Sequence, residues 1–340
     1  MALSVAAFSD LPEELLVEFL QGMGMPREVA EWRYLDARFN RGRNRGFAWI
    51  PHDRIEGMIG LIPFRIKGSG GESDVNWSCD WMLANPSKNP GIGIVLLKRA
   101  VKDSGALFAL GGNANTRRLL PRIALRTTPD AAVGFRLRLR ASAYLGGVER
   151  SRLARRLLRP SVLAAIPLRW IGRSGRQPAV RSEAGVAPRI ASLIEARRGD
   201  GRWPAYDFEY VDWQIGRAPM LVSETSYSPA DAEPCAAAVY WTARGARGSW
   251  RLALWARPGA TGHLAMVVRE ATARVYERGG AEISTIASRA EADHLAFLRR
   301  AGFTVEGSRT LYECANGDSG EAGAPLSCLS YLDTDLAYRF

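Results

Sequence analysis

Histidine and cysteine are scarce in this 340-residue sequence. The three histidines, His52, His263 and His294, and the four cysteines, Cys79, Cys235, Cys314 and Cys328, lie far apart, with no C-x-x-C pair. Such spacing argues against a zinc site and against a disulfide framework, so no metal is expected. Cys79 stands in an apolar alternation and reads as a packed core thiol. Long apolar runs are missing too. The longest uncharged one, around Ser161–Leu168, is far too short to span a bilayer, and Met1 to Phe8 lacks the charged start and long apolar region of a secretion signal. A cytoplasmic protein is the expectation. Acidic side chains, finally, are nearly absent from one window. Between Phe135 and Ile190 thirteen arginines face only Glu149 and Glu183, an excess equal to the +11 net charge of the whole chain. The basicity is therefore local, and it points to an acidic partner surface.

What is present is globular: hydrophobic residues make up 47% and charged residues 24%, and the length suffices for two domains. The stretch from Asp74 to Ser104 organises the first half. Val75, Trp77, Cys79, Trp81 and Leu83 alternate with Asn76, Ser78, Asp80 and Met82, the period of a half-buried strand. Ala84–Pro90 is dense in turn residues, and Gly91-Ile92-Gly93 then opens an apolar helical run that ends in Lys98, Arg99 and Lys102. A helix start has unpaired N–H groups and the positive end of the helix dipole, so glycines there let a phosphate approach the backbone. Close packing of strand and helix is the competing reason for small residues at such a junction.

Upstream, Leu11–Met23 reads as an amphipathic helix with Asp10 as cap, and a second helix begins near Pro26 and carries Glu31-Trp32-Arg33-Tyr34-Leu35. Phe47–Ile50 and Gly57–Ile66 read as antiparallel strands. His52 falls in the turn between them and reads as a solvated loop residue.

Lys88-Asn89-Pro90-Gly91-Ile92-Gly93 resembles the Q/R-x-x-G-x-G/A pyrophosphate loop of the GNAT (acyl-CoA N-acyltransferase) superfamily, placed directly after the central strand as in that family. Lys88 keeps the charge of the first position but not the planar fork. Asn113 to Leu120 is similar to the family's N-x-x-A-x-x-L-Y segment, with Leu120 where a tyrosine often serves as general acid. The resemblance implies that Trp81, Met82 and Leu83 hold the pantetheine arm of acetyl-CoA or another acyl-CoA. It also implies that Lys88, Asn89, Gly91, Ile92, Gly93 and Ile94, with Asn113, complete the cofactor site, and that the acceptor is a small-molecule amine. Acyl transfer to an amine needs a base, and Asp80, on the polar side of the strand, is the candidate. A carboxylate satisfied by backbone donors or an arginine is the alternative for it.

The second half repeats this order. Phe208–Gln214 matches the Trp32 segment, Ala236–Trp241 and Ser249–Trp255 read as strands, and Arg257–Gly262 opens a helix. Ala292–Phe303 resembles the family's terminal helix with its L-x-x-x-G-F ending, and Trp32 and Trp213 lie 181 positions apart. The expected fold is α/β, with a mixed, mostly antiparallel central sheet flanked by helices in two tandem GNAT-like domains. Residues 1–140 form the CoA-binding domain, 141–190 a basic connector and 191–340 a degenerate copy, in which Ala260 replaces the first loop glycine.

The arginines of 136–189 read as a solvated connector, or as peripheral contacts to anionic lipid at the inner membrane face; nucleic acid is not expected. At family level the W-R/K-Y-L helix, the G-L-I-P strand and the basic middle resemble proteins of cell-surface polysaccharide and aminosugar pathways, which implies an aminosugar or sugar-nucleotide acceptor. A catalytically degenerate scaffold docking on a membrane or a partner enzyme is the alternative.

Overall fold

The computed structural model describes residues 4–36, 42–89, 91–124, 126–140, 179–198, 201–229, 232–246, 248–315 and 326–332. The arginine-rich run from 141 to 178 lies outside the described residues, as does Pro90. In chain order the first half contains β1 (Val5–Ala7), α1 (Glu13–Gly22), α2 (Arg27–Ala30) running into a π-helical turn (Glu31–Leu35), β2 (Gly46–Trp49), β3 (Gly57–Gly68) and β4 (Gly71–Leu83). It continues with α3 (Ile92–Ser104), β5 (Ala106–Leu110), α4 (Ala114–Leu119) and β6 (Arg126–Arg138). The second half contains β7 (Arg181–Ala184), α5 (Ala191–Glu195), β8 (Trp203–Pro204), α6 (Phe208–Val211) with a second π-helical turn (Asp212–Gly216), β9 (Leu221–Ser228), β10 (Ala236–Ala243) and β11 (Ser249–Ala256). Then come α7 (Thr261–Glu277), β12 (Glu282–Ser288), α8 (Ala292–Arg300) and β13 (Thr304–Ala315). Asp10 does not cap α1: its N-cap is Pro12, with no side-chain hydrogen bond. β7 lies within the stretch that composition marks as connector, yet it pairs with β9.

Among the described residues all strands join one sheet in the order β1-β2-β3-β4-β5-β13-β6-β12-β11-β10-β9-β7, with β8 added to β3. The order is a palindrome once each strand is matched to its counterpart in the other half. β4 and β5 run parallel, as do β11 and β12, and the remaining pairs are antiparallel. At the centre the halves exchange their last strands. β13 lies between β5 and β6 of the first half, and β6 pairs with β12 of the second.

Two helix layers cover the sheet. On one face α3 packs Leu96, Leu97 and Ala100 onto Phe47, Ile59, Leu61 and Leu107, and α7 packs Val267, Val268, Ala271 and Val275 onto Tyr240, Leu252 and Ile283. On the other face α1 and α2 cover Ala48 and Met58, and a large core joins the halves through Trp32, Trp77, Phe108, Trp213, Trp241 and Trp255. Trp32 and Trp213 stack at 5.0 Å between ring centroids. No helix among the described residues is long and apolar enough to cross a membrane.

Candidate active site

β4 is paired with β5 only at Asn76–Leu107 and Trp77–Phe108, and from Ser78 onward its β5 side is open while β3 still holds its other edge. The opening coincides with a β-bulge. Met58 pairs with Met82 and Gly60 with Cys79, so Ile59 alone faces both Asp80 and Trp81. Asp80 takes φ +41°, the left-handed region that Asp tolerates better than most side chains. The extra residue inverts the alternation of the strand. Val75, Trp77 and Cys79 pack into the core shared by the halves, whereas Trp81 and Leu83 turn to the cluster under α3, and Met82 to the cluster under α1. The sequence alternation, which puts all five odd-numbered residues on one side, is corrected by this bulge.

The turn after β4 delivers the chain to α3. Gly91 is the N-cap, with φ +94° and open space where a Cβ would stand; its carbonyl accepts from Ile94 N–H at 2.9 Å and Val95 N–H at 3.1 Å. Glycine is needed there for its backbone. Gly93 has a different reason. A Cβ on it would lie 3.0 Å from Trp81 Nε1, so Gly93 lets the indole press against the first turn of the helix. Ile92 is buried in the α3 core, Ile94 is half-buried and Lys88 is exposed. The Asn89 amide donates to Glu56 Oε2 at 3.5 Å, tying the turn to the β2–β3 connection. Trp81, Leu83, Ile92 and Gly93 thus converge at the mouth of the β4–β5 opening. Asn113 is the N-cap of α4: its Oδ1 accepts from Thr116 N–H at 2.9 Å and from the Thr116 hydroxyl at 3.1 Å. Leu120 is 2% exposed and belongs to the cluster under α3.

Asp80 is buried on the opposite face. Its Oδ2 lies 2.8 Å from Arg33 Nη2 and accepts the Tyr34 hydroxyl. Burial first, and then the neighbouring Asp80 charge, push the Tyr34 phenol well above its usual value, so it keeps its proton. Neither partner carries a role in the sequence reading. The available signal was the adjacency of a basic and a phenolic residue, Arg33-Tyr34, together with an acid, Asp80, inside the apolar part of the strand.

The counterpart in the second half is plainer. β11 pairs with β12 from Ser249–Glu282 to Leu252–Thr285 and then diverges, but its register with β10 has no break. At the start of α7 stand Gly259 at φ +81°, Ala260 as N-cap, and His263, whose Nδ1 lies 2.9 Å from Ser228 Oγ. No group of three or more His, Cys, Asp or Glu side chains among the described residues could hold a metal ion.

No sequence-family model matches the chain, and no curated protein matches it by sequence. Solved structures do match in fold. One is a GCN5-related N-acetyltransferase from Anabaena variabilis, 11% identical with a TM-score of 0.55, covering 91% of this chain and 72% of that one. Another is the N-myristoyltransferase of Saccharomyces cerevisiae with bound myristoyl-CoA, 12% identical with a TM-score of 0.58, covering 94% and 82%. A probable N-acyltransferase from Enterococcus faecalis is 9% identical with a TM-score of 0.55, covering 92% and 72%. The fold is the GNAT fold. In GNAT terms β4 is the central strand and α3 is the helix that follows it.

Proposed function

We propose that this protein is an acyl-CoA-dependent N-acyltransferase whose first half carries the cofactor. The observation behind the proposal is the joint placement of an open, bulged β4 edge and a helix start cornered by Gly91 and Gly93. An acyl-CoA needs both features. Its diphosphate is stabilised by helix N–H groups and dipole, and its pantetheine amides need strand backbone groups that no neighbouring strand has taken. The N-myristoyltransferase of matching fold holds myristoyl-CoA, which supports an acyl-CoA here. In this reading Trp81, Met82 and Leu83 flank the arm, Lys88, Asn89 and Gly91 to Ile94 surround the diphosphate, and Asn113 caps the helix beyond it.

For Asp80 we propose a part other than the base that its strand position suggests. Its carboxylate already holds Arg33 and Tyr34, which fits ordering of the bulge better than proton abstraction. Leu120 offers no proton to a leaving thiolate, and this favours a second reading, a protein that binds acyl-CoA without turning it over. The finer acceptor reading, an amine of an aminosugar or sugar nucleotide, rests on the family resemblance of the sequence, as does peripheral contact of the 136–189 arginines with anionic lipid.

A thermal-shift and calorimetric screen with CoA, acetyl-CoA and longer acyl-CoAs tests the proposal, because a ligand of the native state raises the midpoint by mass action. We expect acyl-CoA to bind, with thiol release on addition of an amine acceptor. Binding without release across an acceptor panel supports the second reading, and no binding removes both.

A further inference from the structure

The bulge of β4 is held from outside the strand. Asp80 is the only non-glycine residue with positive φ in either central strand, β4 or β11. A left-handed residue in the middle of a strand is unfavourable for any side chain and persists only where its surroundings fix it. Here the fixing contacts come from consecutive residues of the π-helical turn after α2. Arg33 and Tyr34, at 3% and 2% exposure, both reach Asp80 Oδ2, and Asp80 itself is 7% exposed. β3 makes room for them. A Cβ on Gly60 would stand 2.5 Å from the Tyr34 hydroxyl and 2.9 Å from Cys79 Sγ, so the glycine is what lets the phenol enter the sheet at this point. Phe8 closes the ring from the side, edge-on at 5.4 Å.

The second half supplies an internal comparison. Its π-helical turn places Trp213 where the first has Trp32, so Gln214 takes the place of Arg33 and Ile215 that of Tyr34. Gln214 donates to the Tyr210 hydroxyl at 2.9 Å. β11 has no positive-φ residue, and its register with β10 is unbroken from Ala236–Ala256 to Trp241–Arg251. Where the Arg-Tyr pair is absent, so is the bulge.

We infer that Arg33 and Tyr34 are positioning residues, which hold Asp80 in its left-handed conformation and so aim the β4 backbone beyond its pairing with β5 at the thioester carbonyl of a bound acyl-CoA. The inference rests on the acyltransferase reading. A carbonyl facing fixed N–H donors is polarised in a way that a loose strand cannot reproduce, since donors that must reorient give up part of the stabilisation.

The test uses the full chain and acetyl-CoA labelled with ¹³C at the thioester carbonyl. Infrared difference spectra should show the bound carbonyl stretch at lower frequency than in water. Tyr34→Phe removes one hydroxyl and leaves the ring packed, and Arg33→Lys keeps a charge without the fork. We expect both variants to bind acetyl-CoA with near-native affinity and to lose most of the frequency shift. Tyr227→Phe, which deletes a tyrosine–carboxylate bond of 2.6 Å to Glu183 in the second half, should leave the shift intact. Should Arg33→Lys fail to fold, Tyr34→Phe alone decides the matter, with a thermal melt as the folding control. An undiminished shift in Tyr34→Phe, or binding by the native protein with no shift at all, overturns the inference while sparing the acyltransferase reading. Absence of acetyl-CoA binding by the native protein overturns both.

Discussion

Trp32 and Trp213 each donate the indole N–H to the other's backbone carbonyl, at 3.1 Å and 3.3 Å, while their rings stack at 26°. Such reciprocity is what a two-fold axis produces when one surface meets its own copy. Here the copies are segments of one chain, and the axis that relates them also relates the strands of the palindromic sheet.

That reciprocity gives a double-mutant prediction. Trp32→Phe and Trp213→Phe should each destabilise by about 1–2 kcal/mol, through one lost hydrogen bond and a smaller stacked area. The double variant should cost less than the two added, because each change weakens the same stack. Urea unfolding of the four proteins measures the coupling, and strict additivity would show that the two indoles act independently.

Gly91 and Gly262 should respond differently to the same change. Gly91→Glu forces a side chain to φ +94° at the α3 N-cap, and it puts a negative charge where a diphosphate would lie; acyl-CoA affinity should disappear while the protein stays folded. Gly262 has open space around it and no positive φ, so Gly262→Glu should leave affinity unchanged. Isothermal titration reads both.

The Arg202–Glu313 pair fastens the exchanged strand. Arg202 reaches both oxygens of Glu313, at 2.9 Å and 2.7 Å, and the glutamate on β13 is 6% exposed. Arg202→Leu should therefore cost about 3–5 kcal/mol by leaving a buried carboxylate without its partner. The double change Arg202→Leu with Glu313→Leu should recover much of that loss. Denaturation midpoints decide, and an equal loss in both proteins would refute the account.

A pH dependence follows from Glu291. Burial alone would raise its pKa, but Arg197 at 3.3 Å and His294 outweigh burial and hold it at about 2, below the 4.5 of an ordinary glutamate. A carboxylate depressed in the folded state stabilises above its unfolded pKa and stops doing so as pH falls through the folded one. Glu291→Gln should thus destabilise at pH 7 by about 1–3 kcal/mol, and the gap from the native protein should close between pH 4.5 and about 2. A constant gap across that window would assign the loss to packing.

Much of the fold is legible because its signals are local. The G-x-G corner and the repeated Trp segments each declare themselves within a few residues, and order and spacing then give two similar halves. The bulge is less legible. An alternating strand and a strand with one inserted residue read alike until the partner register is known, so Trp81 and Leu83 fall on the wrong face when the alternation is carried through Asp80. Arg33 and Tyr34 escape for a related reason, since their link to Asp80 spans more than forty positions. The strand exchange is a choice of partner. β6 and β13 carry similar patterns, and nothing in either says that each completes the other half's sheet rather than its own.

The exchange also sets a timetable for synthesis. Until residues 304–315 leave the ribosome, β5 presents a free edge and β6 has no partner on that side, so the first half cannot finish its sheet although all of its own residues have long been made. Completion waits for that stretch and comes all at once, which exposes the first half to chaperones and to edge-to-edge mispairing while the second half is being made.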